Sequence, residues 1–143
     1  MTPFLFNQVL ELLALADALA GDFTGSLMKL YTNNLVFDPA TVVVGDLTEA
    51  TFTGYVSQTL VWGVPSVSDD NHVESISGQL TWRPTDAVTP ELVYGYYWTT
   101  LGGALLGGGY FDEGPLPMQS ALDVMKTTLI FRFGNDGYCS VVS

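Results

Sequence analysis

Asp46 and Glu49 stand three residues apart in an acidic turn, "GDLTE" (45–49), and paired carboxylates are the usual equipment of general acid–base chemistry. Such work needs a converging base, nucleophile or metal, and none accompanies them in the sequence. Carboxylates in a turn otherwise form a solvated face. Asp69, Asp70 and Asn71 offer oxygens for calcium, but an ion needs six or more, and the spacing of an EF-hand loop is absent. His72 is the one histidine and Cys139 the one cysteine, so zinc spacing is excluded and no disulfide can close within the chain. The lone cysteine weakly suggests a reducing compartment. The serines follow no G-x-S-x-G pattern. "GGALLGGGY" (102–110) lacks the Lys-Ser/Thr of a phosphate-binding loop, so its glycines are expected to permit a strand bulge or the close approach of another chain. The residues therefore predict a protein that is not an enzyme, with no catalytic residue, cofactor or metal.

Composition narrows the partners. Four basic residues (Lys29, Arg83, Lys126, Arg132) face fifteen acidic ones, for a net charge of −11. Binding to phosphate backbones requires clustered Lys and Arg, which excludes direct contact with DNA or RNA, and an anionic membrane surface is disfavoured for the same reason. Hydrophobic residues make up 48% of the chain and charged ones 13%, the reverse of a disordered composition. A length of 143 residues suits one domain with a core of its own.

The hydrophobic period changes near Gly21. Residues 4–20, "FLFNQVLELLALADALA", carry Leu5, Phe6, Val9, Leu10, Leu12, Leu13, Ala16 and Leu19 as an apolar stripe at helical spacing, with Gly21 as the stop. The stretch has no basic n-region, and Asn7, Gln8, Glu11 and Asp17 interrupt it, so neither a signal peptide nor a membrane span is expected. Beyond Gly21 the pattern is of strands: 26–34, 52–62, 72–83, 92–100 and 104–112 as a hairpin, and 122–133. Residues 35–50 read as a loop with one short edge strand at "TVVV" (41–44) and 83–91 as a loop, and the tail after Phe133 as a mobile segment on which Tyr138 and Val141 could dock. The prediction is a mainly β chain, an antiparallel β-sandwich or barrel-like domain (23–143) preceded by an N-terminal amphipathic helix (1–22). Trp82 and Trp98 are expected in its core, although Trp62, Tyr94, Tyr96 and Tyr97 with them could instead line a sugar-binding face.

Taken together, "LYTNN" (30–34), "LTEATFTGY" (47–55), "YGYYWTT" (94–100), the following "GGALL" and "FDEGP" (111–115) resemble a group of small tailed-bacteriophage virion structural proteins. The resemblance spans roughly residues 27 to 133 and implies a component of a phage particle, located in the virion and assembled in the host cytoplasm. Its leading form is a capsid decoration or cement protein, a homo-oligomer (a trimer), that binds the major capsid protein or other virion proteins. The alternative is a tail-fibre or receptor-binding module that recognises a host glycan. On this reading Glu49 accepts backbone N–H groups of the preceding loop, and the leader offers Leu5, Val9, Leu12, Leu13 and Ala16 as an intermolecular contact.

Overall fold

A computed structural model describes residues 3–21, 23–69, 72–85, 90–132 and 139–142, with side chains described from Leu12 up to Arg132 within those ranges. The chain is mainly β, with one N-terminal helix and antiparallel sheets that pack against each other as a sandwich. The helix α1 (Pro3–Ala20) ends where expected. Its last carbonyls are taken up locally: Gly21 N–H donates to Asp17 O (3.0 Å), Phe23 N–H to Ala18 O (2.9 Å) and the Thr24 hydroxyl to Leu19 O (2.7 Å).

Eleven strands follow among the described residues: β1 (Leu27–Tyr31), β2 (Gln58–Thr59), β3 (Ser66–Val67), β4 (Val73–Ile76), β5 (Leu80–Trp82), β6 (Glu91–Val93), β7 (Gly95–Thr99), β8 (Leu105–Tyr110), β9 (Leu116–Met118), β10 (Met125–Arg132) and β11 (Cys139–Val142). One sheet has the order β2-β1-β7-β8, and the other β11-β10-β4-β3, with β5 also paired to β10. β6 and β9 form a separate ribbon. Between the sheets lie Met28, Leu30, Tyr96 and Trp98 from one side and Val73, Leu80, Trp82, Met125 and Leu129 from the other, all buried. Phe23, just beyond the helix, packs edge-on against both Trp98 (4.9 Å between ring centres) and Phe131 (5.0 Å). The alternation of β10 is as expected, with Met125, Thr127 and Leu129 buried and Lys126 exposed.

Two long strands expected from the sequence are broken by their tertiary setting. In 52–62 only Gln58 and Thr59 pair with β1, and Leu60 N–H then donates to Ser26 O (2.8 Å). A few residues on, Gly63 N–H donates to Ile76 O and Val61 O accepts from Gly78 N–H, both at 2.9 Å, on the opposite sheet. The segment is a corner that carries the chain from one sheet to the other. In 72–83 the chain breaks at Ser77-Gly78-Gln79. The buried Ser77 repairs the ladder, since its N–H donates to Leu129 O and its Oγ accepts the Leu129 N–H, each at 2.9 Å. The break also changes the facing. Leu80 and Trp82 point inward, but Ile76, expected beside them, is exposed.

Other differences are smaller. The run 92–100 divides at Tyr94 into β6 and β7, the stretch "EGPLPMQSA" (113–121), where the sequence predicts no strand, contains β9, and Cys139–Val142 pairs with β10 as β11. Phe133 and Tyr138 lie outside the described residues.

The β7–β8 hairpin explains the glycine run. At its tip Gly103 takes a φ of +97°, open to glycine at no steric cost, and its N–H donates to Thr100 O (3.0 Å). Along β8 three consecutive glycines are roofed by aromatic rings. A Cβ on Gly107 would lie 2.7 Å from Trp98 Nε1, one on Gly108 2.5 Å from Phe37 Cε2, and one on Gly109 2.7 Å from Tyr96 Cε1. What approaches these glycines closely is the protein's own side chains, from both faces of the strand. The bulge expected here is present as a register shift between Trp98 and Thr99.

Candidate functional site

The two turn carboxylates have separate occupations. Val44–Asp46 form one turn of 3-10 helix, and Asp46 Oδ2 accepts the Val43 N–H (3.1 Å). Asn33 braces the same turn, its Nδ2 donating to Asp46 O (2.8 Å) and its Oδ1 accepting the Thr48 N–H (2.9 Å). Glu49 turns instead to the sheet: Oε2 accepts the Tyr55 hydroxyl proton (2.7 Å) and Oε1 lies 3.9 Å from Lys29 Nζ. The backbone-capping role expected of Glu49 thus belongs to Asp46, because the 3-10 turn brings Asp46 back over Val43. Glu49, opposite Tyr31 in an isolated bridge, extends towards β1.

Tyr55 ties this region together. Its oxygen also receives the Leu30 N–H at 3.3 Å. Burial, then the bond to Glu49, raises its phenol above the ordinary range. Tyr97, with Lys29 6.0 Å above its ring, is pushed up to about 12 by burial and next by the Glu49 charge. Tyr31 is also pushed up to about 12, by burial and then by Tyr110. These phenols stay protonated at neutral pH and act as hydrogen-bond donors and packing surface. Tyr55→Phe should leave Glu49 and the Leu30 N–H each short of a partner and cost about 1–3 kcal/mol. Chemical denaturation should show it as a lower midpoint with an unchanged slope. A variant as stable as the parent would mean that the bond contributes nothing.

The remaining candidates do not gather. Asp69 is exposed, while Asp70 and Asn71 lie outside the described residues. His72 is half-buried at the end of a turn in which its N–H donates to Ser68 Oγ (3.1 Å). Cys139 faces Phe131 in register on β11, its side chain outside the description. Among the described residues no three His, Cys, Asp or Glu side chains come together in a way that could hold a metal ion, and no helix is long and apolar enough to cross a membrane.

The leader residues are divided. Leu12 packs on the protein's own core, beside Leu15, Ala18 and Leu19. Leu13 is 64% exposed and Ala16 is exposed, while the side chains of Leu5 and Val9 are not described. Leu15, absent from the expected stripe, is fully buried. The inward face therefore runs through Leu12, Leu15 and Leu19, a spacing of three and four that the sequence also contained.

Most of the aromatics that could have formed a sugar platform are interior. Trp82 and Trp98 are 1% exposed, Tyr96 and Tyr97 are buried, and Trp62 packs on Trp98 (5.3 Å) while its Nε1–H donates to Ser26 Oγ (3.1 Å). Trp82 Nε1–H donates to Val56 O (2.9 Å).

Two clefts flank β8. One, of about 400 Å³, lies between the strand at Gly103–Gly107 and an apolar wall of Phe37, Pro39 and Val42–Val44. The other, of about 480 Å³, is floored by Tyr96, Gly109 and Phe111, with the exposed carboxylates of Asp112 and Glu113 at its mouth. Neither was foreseen. The "TVVV" run (41–44), expected as a short edge strand, forms no strand, and its Val42–Val44 line the first cleft instead. The arrangement suits binding by contact surfaces: an apolar groove beside a sheet edge and a small aromatic–acidic cleft. It defines a mainly β, sandwich-like protein with one N-terminal helix. No family model, curated protein or solved structure matches the chain.

Proposed function

We propose that this is a non-enzymatic structural protein of a bacteriophage particle, a capsid decoration protein that binds the major capsid lattice. The motif resemblance supplies the identity of the partner. The observation that carries the mode of action is the group of aliphatic side chains left in water at the sheet-switching corner: Val61 (71% exposed), Val64 (89%) and Ile76 (46%). They stand close together along the backbone, where Gly63, between the two valines, donates its N–H to Ile76 O. Covering large aliphatic groups contributes about 1.5–3 kcal/mol each when burial is complete, so such a patch favours a protein partner.

Quantifying the protein against the major capsid protein in purified particles tests this. A decoration protein follows the lattice and should be present in on the order of hundreds of copies. Its absence from particles would sink the proposal. A second reading, a receptor-binding module of a tail fibre, draws on the cleft of Phe111, Asp112 and Glu113, because a partly exposed ring suits the C–H face of a sugar and the carboxylates accept its hydroxyls. On that reading the count falls to about a few tens at most.

A further inference from the structure

We propose that β8 is a self-association edge, through which two copies pair their β8 strands antiparallel about a two-fold axis at Gly108. β8 ends its sheet. Phe111 N–H donates to Tyr94 O (2.9 Å), so Gly95 and Tyr110 form a non-hydrogen-bonded pair. By the alternation of an antiparallel ladder, Tyr97 and Gly108 form the next such pair. The backbone N–H and C=O of Tyr110 and Gly108 therefore turn away from β7, towards the open side of the sheet.

The edges of natural sheets are usually kept short, charged or broken by proline, because an open ladder invites another strand. Of the other outer strands of the two sheets, β2 and β3 follow this, each two residues long and β3 directly after Pro65, while β11 is an uncharged edge of four residues, shorter than β8. β8 has six residues, with neither proline nor charge. No charged residue occurs between Glu91 and Asp112, the longest neutral stretch available to a chain of net charge −11. Two such chains repel each other unless they meet through a neutral surface, and this hairpin is one.

The occupant follows from symmetry. In an antiparallel pair centred on Gly108 each copy donates from Gly108 N–H and accepts at Gly108 C=O, so the edge is complementary to itself and an isologous contact closes at two copies. With no side chain at Gly107, Gly108 or Gly109, little stands between the two backbones. The pairing would join two four-stranded sheets into one and set the partner's strand along the apolar groove of Phe37 and Val42–Val44. The inference does not depend on a role in a virion. It predicts two-fold assembly, in place of the trimer implied by the resemblance.

Proline at Gly108 would collide with Phe37, so the test uses the unaltered chain. Sedimentation between about 1 µM and 1 mM should show conversion from the 15.4 kDa monomer to a dimer. Over that range amide exchange at Gly108 and Tyr110 should slow by about tenfold or more, while Gly109, already bonded within the sheet, should change little. Raised salt should favour the dimer, because it screens the like charges of the two copies. A monomer at every concentration, a trimer, or a dimer in which the Gly108 and Tyr110 amides exchange as fast as in the monomer would each overturn the proposal.

Discussion

Replacing Gly95 with alanine should lower stability by roughly 3 kcal/mol or more, the upper end of what overpacking does. A Cβ on Gly95 would run into the Gly109 carbonyl oxygen of the neighbouring strand and lie 2.5 Å from both Cζ and the hydroxyl of Tyr31. Neither obstacle can step aside. The carbonyl belongs to the β7–β8 ladder, and the Tyr31 hydroxyl is held by its bond to Leu35 O (2.8 Å). For a chain of this size the melting temperature should fall by about 6–12 °C. Gly45→Ala is the control, since nothing lies within 4 Å of a Cβ there. If the Gly95 variant melts within about 2 °C of the parent, the tight crossing of β1, β7 and β8 is not as described.

Strong alkali should unfold the protein through its tyrosines. The phenols of Tyr31 and Tyr97 are pushed up to about 12 in the folded chain, chiefly by burial, from an ordinary value of 10.0. Tyr55 is raised as well. Between pH 10 and 12 the unfolded chain releases these protons while the folded chain retains them, so the unfolded state gains stability. The stabilisation is fully present below pH 10 and is lost as pH rises through the folded value. Thermal melts should be level in this respect from neutrality to about pH 9.5 and then drop steeply to pH 12. Tyr97→Phe should make the fall shallower. A melting temperature that stays level to pH 12 would contradict the buried tyrosine cluster.

Much of the fold was present in local patterns. The helix over residues 4–20 follows from apolar residues at helical spacing up to Gly21, and β10 from the strict alternation of 125–132. Both patterns arise from contacts a few residues apart, which is the range that a sequence displays directly. Trp82 and Trp98 were expected in the core because large rings on alternating strands have nowhere better to go, and they are there. The absence of clustered basic residues also needed no coordinates.

What the sequence left open depends on distant partners. Which side of the helix faces inward is decided by the core it meets, so Leu15 is buried and Leu13 is in water. Residues 52–62 have the composition of one strand, but a sandwich must turn its corners, and here the chain changes sheets between Thr59 and Gly63. The partners of Asp46 and Glu49 differ because a 3-10 turn folds one carboxylate back while β1 brings Lys29 near the other and Tyr55 closes over it. The glycines of β8 looked like freedom for the backbone. They are space for Trp98, Phe37 and Tyr96, rings that the sequence places 9, 71 and 13 residues away from Gly107, Gly108 and Gly109 and that only the folded chain sets above them.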